Sequence, residues 1–197
     1  MRESLLTILR DEKTPVEVFR QASHQMAALL ASEASTLVTE TLKKVKTPVG
    51  KAQGASISQR VILVPILRAG FALLPAFLHY FPNAPIGFTG IRREAKTAKP
   101  HLYYENIPPL KPTDLILILD PMIATAGSAL LTIEHLLKKG ASQIALIGIL
   151  GSTEGLEKLK MKYPDLTLII AAEDPELNSK KYIIPGLGDF GDRYFGN

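Results

Sequence analysis

The stretch Leu115–Leu130, "LILILDPMIATAGSAL", decides how this chain is read. Five apolar residues run into a single aspartate, Asp120, then into a loop of small residues and a segment with helical character. An unbroken apolar run is how a strand covered on both faces reads. A helix directly after it makes a strand–helix unit of a parallel sheet. Asp120 then stands at the C-terminal end of a strand, the edge at which open α/β proteins take their ligands. Ala124–Ser128, "ATAGS", opens the helix. Backbone N–H groups there have no intrahelical partners and lie at the positive end of the helix dipole. Small side chains let a phosphate approach them, and the Thr125 and Ser128 hydroxyls add donors. Asp120 suits the vicinal hydroxyls of a ribose beside that phosphate. The alternative is a tight turn capped by Ser128, with Asp120 merely solvated.

Working outward, the same alternation recurs. "VILVPI" from Val61 is a strand, "FALLPAFLHY" a helix and "APIGFTG" a second strand. "DLILIL" is a third strand, "SALLTIEHLLKKG" a helix ending at Gly140, and "QIALIGIL" a fourth strand. "TEGLEKLKMK" is a helix and "LTLIIAA" a fifth strand. Upstream, "TPVEVFRQASHQMAALLASEASTLV" is a long amphipathic helix with Val16, Phe19, Met26 and Leu30 on one face. Thr14 is its expected cap, Pro15 suits its first turn, and Glu17 would complete a capping box. The Lys-rich, Gly-containing stretch after it, with "KVKTPVGK", reads as a turn with a solvated basic face. The predicted fold is therefore an α/β domain, a mostly parallel twisted sheet flanked by helices, spanning residues 1–197 as one unit.

Two segments fall outside the alternation. Residues 91–111 are charged and contain prolines and the pair Tyr103–Tyr104, and at this length they predict a protruding arm or lid. Residues 182–197, "YIIPGLGDFGDRYFGN", thread aromatic and charged residues between glycines, which predicts an ordered segment wrapped around something rather than a disordered tail.

Composition bounds the rest. The chain has 197 residues, 46% of them hydrophobic and 21% charged, in the range of a soluble globular domain. It has no cysteine, which excludes disulfides and thiolate metal sites and points to a cytoplasmic location. The net charge of +4 suits anionic small ligands but is a weak argument for nucleic acid. The longest membrane-like stretch, Val61–Leu78, carries Arg68, Gly70 and two prolines, so no membrane span is expected.

At this point the residues carry a resemblance. "LILDPMIATAGSA" resembles the phosphoribosyl-pyrophosphate (PRPP) loop of the type I phosphoribosyltransferases, in the version of the uracil phosphoribosyltransferase family, where Asp-Pro stands in place of two adjacent acids. "VPILRAG", Val64–Gly70, is similar to that family's pyrophosphate loop, and "YIIPGLGDFGDRYFG" to its uracil-binding C-terminal segment. The similarity runs over nearly the whole chain in the expected order.

The resemblance implies the type I phosphoribosyltransferase fold and the reaction of uracil with PRPP to give UMP and pyrophosphate. It implies Asp120, Asp189, Arg68 and Arg93 as the catalytic set. PRPP would be bound by Arg68, Arg93, Asp120, Pro121, Met122, Ile123, Ala124, Thr125, Ala126, Gly127, Ser128 and Asp189. Uracil would be read by Tyr182, Ile183, Gly188, Asp189 and Phe190, largely through the main chain. Mg²⁺ would be held through PRPP and water, with no direct protein ligand. Further implications are a homodimer or homotetramer, and GTP as an effector in some relatives. The sequence departs from the family pattern at Ala126, where a glycine is usual. It departs also in the less acidic arm "RREAKTAKP" and in a short segment before the first helix. An alanine forced to φ > 0 would cost about 1 kcal/mol.

Other readings have less to rest on. "GLGDFG" matches a dinucleotide-loop spacing but lacks the helix that must follow. His24, His79, His101 and His135 show no metal-ligand spacing. Glu173-Asp174 reads as a solvated loop, with an approach to Mg²⁺ as the sharper alternative. The rival functions are a phosphoribosyltransferase for another base and a non-catalytic regulator that senses PRPP or nucleotides. For the second of these Asp-Pro is the wrong loop and the scattered lysines make no basic face.

Overall fold

The computed structural model describes residues 1–93 and 100–197, with the side chain of Arg93 left aside. The chain opens with helices α1 (Arg2–Arg10) and α2 (Val16–Ala34) and a hairpin of β1 (Glu40–Thr47) and β2 (Gly50–Ile57). It continues through β3 (Val61–Leu67), α3 (Leu74–Tyr80), β4 (Phe88–Arg93), β5 (Pro100–Asn106), β6 (Leu115–Leu119), β7 (Met122–Ile123) and α4 (Gly127–Lys138). β8 (Gln143–Ser152), α5 (Thr153–Lys162), β9 (Thr167–Asp174), β10 (Glu176–Leu177), β11 (Ile183–Ile184) and α6 (Phe190–Phe195) complete it.

The main sheet runs in the order β5-β4-β3-β6-β8-β9, with β7 continuing the β6 line along β8. All neighbours are parallel except β4 and β5. The five strands expected from apolar runs are β3, β4, β6, β8 and β9, and their parallel pairing is as the sequence predicts. Both faces of the sheet are covered. Val61, Leu63, Leu117 and Ile147 pack with α1, α2 and α3, while Ile62, Val64, Ile118 and Leu146 pack with α4 and α5. Alternate residues of one strand thus serve two cores, which is why these strands are apolar throughout rather than every second residue.

Three local readings are corrected. Thr14 does not cap α2: its hydroxyl donates to the Ile8 carbonyl at 2.7 Å, and Pro15 takes the cap position without a side-chain bond. The basic stretch is not a turn but an antiparallel hairpin, β1 with β2, exposed along almost its whole length. The lysines of a solvated face hid its strand pairing. Helix α1 was not expected at all, although Leu5, Leu6 and Leu9 form its buried face.

Asp174 is the largest correction. It ends β9 as a buried residue rather than lying in a solvated loop. Its two oxygens receive the Arg10 guanidinium at 2.6 and 2.7 Å, and Oδ2 also accepts the Gly186 N–H at 2.8 Å. Arg10 donates in addition to the Gly186 carbonyl at 2.7 Å. One ion pair therefore joins α1, the end of β9 and the C-terminal segment. Burial works against the Asp174 charge, but the hydrogen bonds from Arg10 and Gly186 outweigh it and hold the carboxyl below the ordinary aspartate range. The same carboxylate raises the Arg10 guanidinium.

A group whose folded pKa is depressed contributes stability above its unfolded value and loses it as pH falls. The Asp174 contribution should therefore be complete above about pH 4 and fade below it. Asp174→Asn should cost about 3 kcal/mol in urea unfolding at pH 7. The gap between the two proteins should narrow at pH 3; an equal gap at both would contradict the ion-pair assignment.

Candidate active site

The site begins where the β6 line breaks. Leu119 pairs with Ile147 and Met122 with Leu150, the same register on both sides of Asp120-Pro121. The Asp120 N–H still donates to Ile147 at 3.0 Å, but proline has no N–H to continue the ladder. The Pro121 carbonyl instead accepts two donors, Ile149 and Leu150, both at 3.0 Å. Gly148 makes room for this close approach: a Cβ there would meet the Asp120 carbonyl and the Ile123 side chain.

Past the break, the loop is pinned from below. Ser152 Oγ donates to the Ala124 carbonyl at 2.6 Å and accepts the Gly155 N–H at 3.0 Å, capping α5 at the same time. A side chain at Gly155 would run into the Ala124 carbonyl oxygen. Ala126, at the start of α4, has φ 58° and ψ 8°, in the left-handed region. The alanine that departs from the family pattern therefore occupies the conformation that favours glycine. As an alanine, the N-cap residue Ala126 brings no hydrogen-bonding side chain to the first N–H groups of α4.

The opposite wall comes from the end of β3. Gly70 sits so close to β6 that a Cβ would collide with the Leu119 carbonyl oxygen. The Leu67–Arg68 peptide is cis. Arg68 is exposed, pairs with Asp192 at 3.3 Å and lies 5.6 Å over the Phe195 ring. The third wall is the C-terminal segment. β11 pairs antiparallel with β10, Gly186 and Gly188 turn the chain at φ 63° and 81°, and Asp189 Oδ1 caps α6 by accepting the Asp192 N–H at 2.9 Å. Phe190 is buried against Phe19, ring centres 5.2 Å apart. The Arg193 guanidinium lies 4.4 Å from the centre of the Phe19 ring and donates to the carbonyls of Leu9, Leu187 and Asp11. The segment is ordered by contacts with the N-terminal helices.

These walls enclose a cavity of about 390 Å³. Of the residues expected at the site, Arg68, Asp120, Met122, Ala124, Ser128, Tyr182, Ile183, Gly188, Asp189 and Phe190 line it. Pro121, Ile123 and Ala126 are buried behind the wall, and Thr125 and Gly127 do not reach it. The Arg93 side chain lies outside the described residues. Sequence reasoning missed Lys180 and Lys181, both exposed on the rim. Their signal was present as two adjacent cations directly before Tyr182, following the turn-forming Asn178.

The hypoxanthine-guanine phosphoribosyltransferase of Bacillus anthracis superposes with a TM-score of 0.56 at 11% identity, over 81% of this chain and 80% of that one. At that identity the likeness concerns the fold alone, and the fold is that of the type I phosphoribosyltransferases. The AQ2163 protein of Aquifex aeolicus matches with a TM-score of 0.92 at 33% identity, over 98% of this chain and 93% of that one. The uracil phosphoribosyltransferase of Salinibacter ruber is 38% identical over 191 residues, 97% of this chain and 91% of that protein. That of Finegoldia magna is 41% identical over 196 residues, 97% and 92% respectively. The uracil phosphoribosyltransferase family model matches residues 1–197. The chain belongs to the uracil phosphoribosyltransferase family.

Ala126 offers a direct check on the loop. A left-handed alanine costs about 1–2 kcal/mol, and glycine returns part of the gain through its freer unfolded chain. The Ala126 methyl is buried, so Ala126→Gly trades the strain against a lost core methyl and should leave the unfolding free energy within about 1 kcal/mol of wild type, whereas Ala126→Val, β-branched in the left-handed region, should lower it by about 2 kcal/mol or more in urea denaturation. A loss from the glycine as large as that from the valine would mean that the loop does not hold this conformation in solution.

Proposed function

We propose that the protein transfers the phosphoribosyl group of PRPP to uracil, giving UMP and pyrophosphate. One observation carries the reading: segments far apart in the chain, ending at Arg68, Asp120 and Asp189, line a single cavity. Asp120 accepts hydrogen bonds from the ribose hydroxyls, and the main chain of Ala124–Ser128 receives the 5′-phosphate at the start of α4. Pro121, Met122 and Ile123 hold that loop in place. Arg68 meets the pyrophosphate, joined by Arg93 from the arm, since a guanidinium fork matches phosphate oxygens. Tyr182, Ile183 and the main chain of Gly188–Phe190 take the base, with Asp189 facing PRPP.

The chemistry asks for no protein nucleophile. Departure of pyrophosphate leaves positive character on the ribose, and the work of the chain is to hold the base nitrogen in line with C1 and to exclude misplaced water. Among the described residues no three histidine, cysteine or acidic side chains form a cluster fit to hold a metal by themselves. Two carboxylates, Asp120 and Asp189, do share the wall with Arg68. That donor set would suit Mg²⁺ held through PRPP and water, with Asp189 placed to approach it through water and Asp120 kept for the ribose. When bound, the ion neutralises charge on the departing pyrophosphate.

The proposal extends to a homodimer or homotetramer. Leu42, Val49 and Ile57 are strongly exposed on the hairpin, which favours burial against another copy. No helix among the described residues is long and apolar enough to cross a membrane, in keeping with action in the cytoplasm. GTP as an effector rests on family resemblance alone.

The test is product formation from PRPP and Mg²⁺ with uracil, orotate, hypoxanthine or guanine. Turnover on uracil, and a fall of 10²-fold or more in Asp120→Asn, is expected. Binding of PRPP without turnover on any base would favour the regulatory alternative.

A further inference from the structure

Lys180 and Lys181 line the cavity, and no motif assigns them a part. They sit on a turn held at four points. Asn178 Oδ1 accepts the N–H groups of Lys180 and Tyr182, both at 2.9 Å, while its carbonyl accepts Lys181 N–H at 2.8 Å. Its own N–H donates to the Tyr182 carbonyl at 2.9 Å. Lys181 stands at φ 64°, where a lysine is strained and a glycine would not be. Strain of this kind at a cavity rim is a pointer to a role for the side chain.

The charges on the wall say what that role is. Among the described lining residues the acids are Asp120 and Asp189, and the bases are Arg68, Lys180 and Lys181. Without the two lysines the wall would carry two negative charges against one positive, that of Arg68. Such a wall repels a polyanion; with the lysines its balance turns positive. The one ion pair of Lys181 among the described residues is with Glu154 at 3.8 Å, the two side chains 48% and 55% exposed. A pair that long and that solvated yields readily to a phosphate. Glu154 opens α5 directly beside Gly155, which abuts the Ala124 carbonyl. Lys181 therefore approaches from the side of the phosphate-binding loop.

We propose that Lys180 and Lys181 form an anion-binding turn that receives a phosphate group of the phosphoribosyl donor and makes the cavity attractive to it. The inference rests on the reading of PRPP as substrate. It concerns the donor and not the base, so the two substrates should respond differently.

The experiment compares wild type with Lys180→Ala, Lys181→Ala, Lys181→Gly and, as a control, Lys160→Ala, which removes an exposed charge from α5 away from the cavity. KM for PRPP and for uracil would be measured together. Calorimetric titrations with inorganic pyrophosphate and with ribose 5-phosphate would run beside them. Loss of either cavity lysine should raise KM for PRPP roughly tenfold, leave KM for uracil within about twofold, and weaken at least one of the two titrated anions. Which anion weakens tells whether the turn meets the leaving group or the 5′-phosphate. Lys181→Gly should show the binding loss with an unfolding midpoint no lower than wild type, since it also relieves the left-handed strain. Unchanged KM for PRPP in both alanine variants, or an equal rise in Lys160→Ala or in KM for uracil, would overturn the proposal. If wild type turned over no base, the substrate reading would fail, while the two titrations would still decide whether the turn binds phosphate.

Discussion

Everything at the site depends on a strand whose hydrogen-bond ladder loses its regular pattern without the strand leaving its line. β6 and β7 share one register along β8, and between them Asp120-Pro121 breaks the ladder for two residues. Proline removes the donor, its carbonyl satisfies two N–H groups of β8, and the carboxylate just before it is left at the sheet edge facing the cavity. A strand that continued would have placed a paired backbone there. One that turned away would have carried the following loop out of reach of Ser152 and Gly155, which fix it on the α5 side. The chain obtains a carboxylate and an open helix start side by side because one residue type cannot donate.

The second half of the cavity is held by a different force. The C-terminal segment has little regular structure, with a two-residue strand and a six-residue helix. Its position is held by arginines on both sides of the interface, with Arg20 of α2 donating to the Tyr194 and Phe195 carbonyls beside two longer-reaching ones. Arg10 reaches from α1 to Asp174 and the Gly186 carbonyl, and Arg193 reaches back from α6 to carbonyls of Leu9 and Asp11. Charge-assisted bonds with fixed fork geometry substitute for the ladder that the segment lacks. Helix α1 is in this sense part of the site, although no residue of it lines the cavity.

The sheet was legible in the sequence because strands buried on both faces write themselves as unbroken apolar runs, and Leu115–Leu119 and Gln143–Ser152 do so over most of their length. The loop was legible because small residues after a strand-end acid have a narrow set of uses. The hairpin was not: a strand pair exposed on both sides has no apolar alternation to display, and Lys43, Lys44, Lys46 and Lys51 read as solvated surface. Asp174 was misread for a related reason. Its partner Arg10 lies 164 residues away, and no local pattern announces an ion pair across that distance. Lys180 and Lys181 went unnoticed because their setting, an Asn178 turn folded onto a cavity rim, exists only once β10 and β11 have paired.

The measurement that bears most directly on this account is a crystal structure of the protein soaked with PRPP and Mg²⁺. The expected result is the ribose hydroxyls on the Asp120 carboxylate and the 5′-phosphate on the backbone N–H groups of Ala124–Ser128, with the β6–β7 break unchanged. PRPP bound elsewhere, or bound here with the Asp120 carboxylate turned away from the ribose, would contradict it.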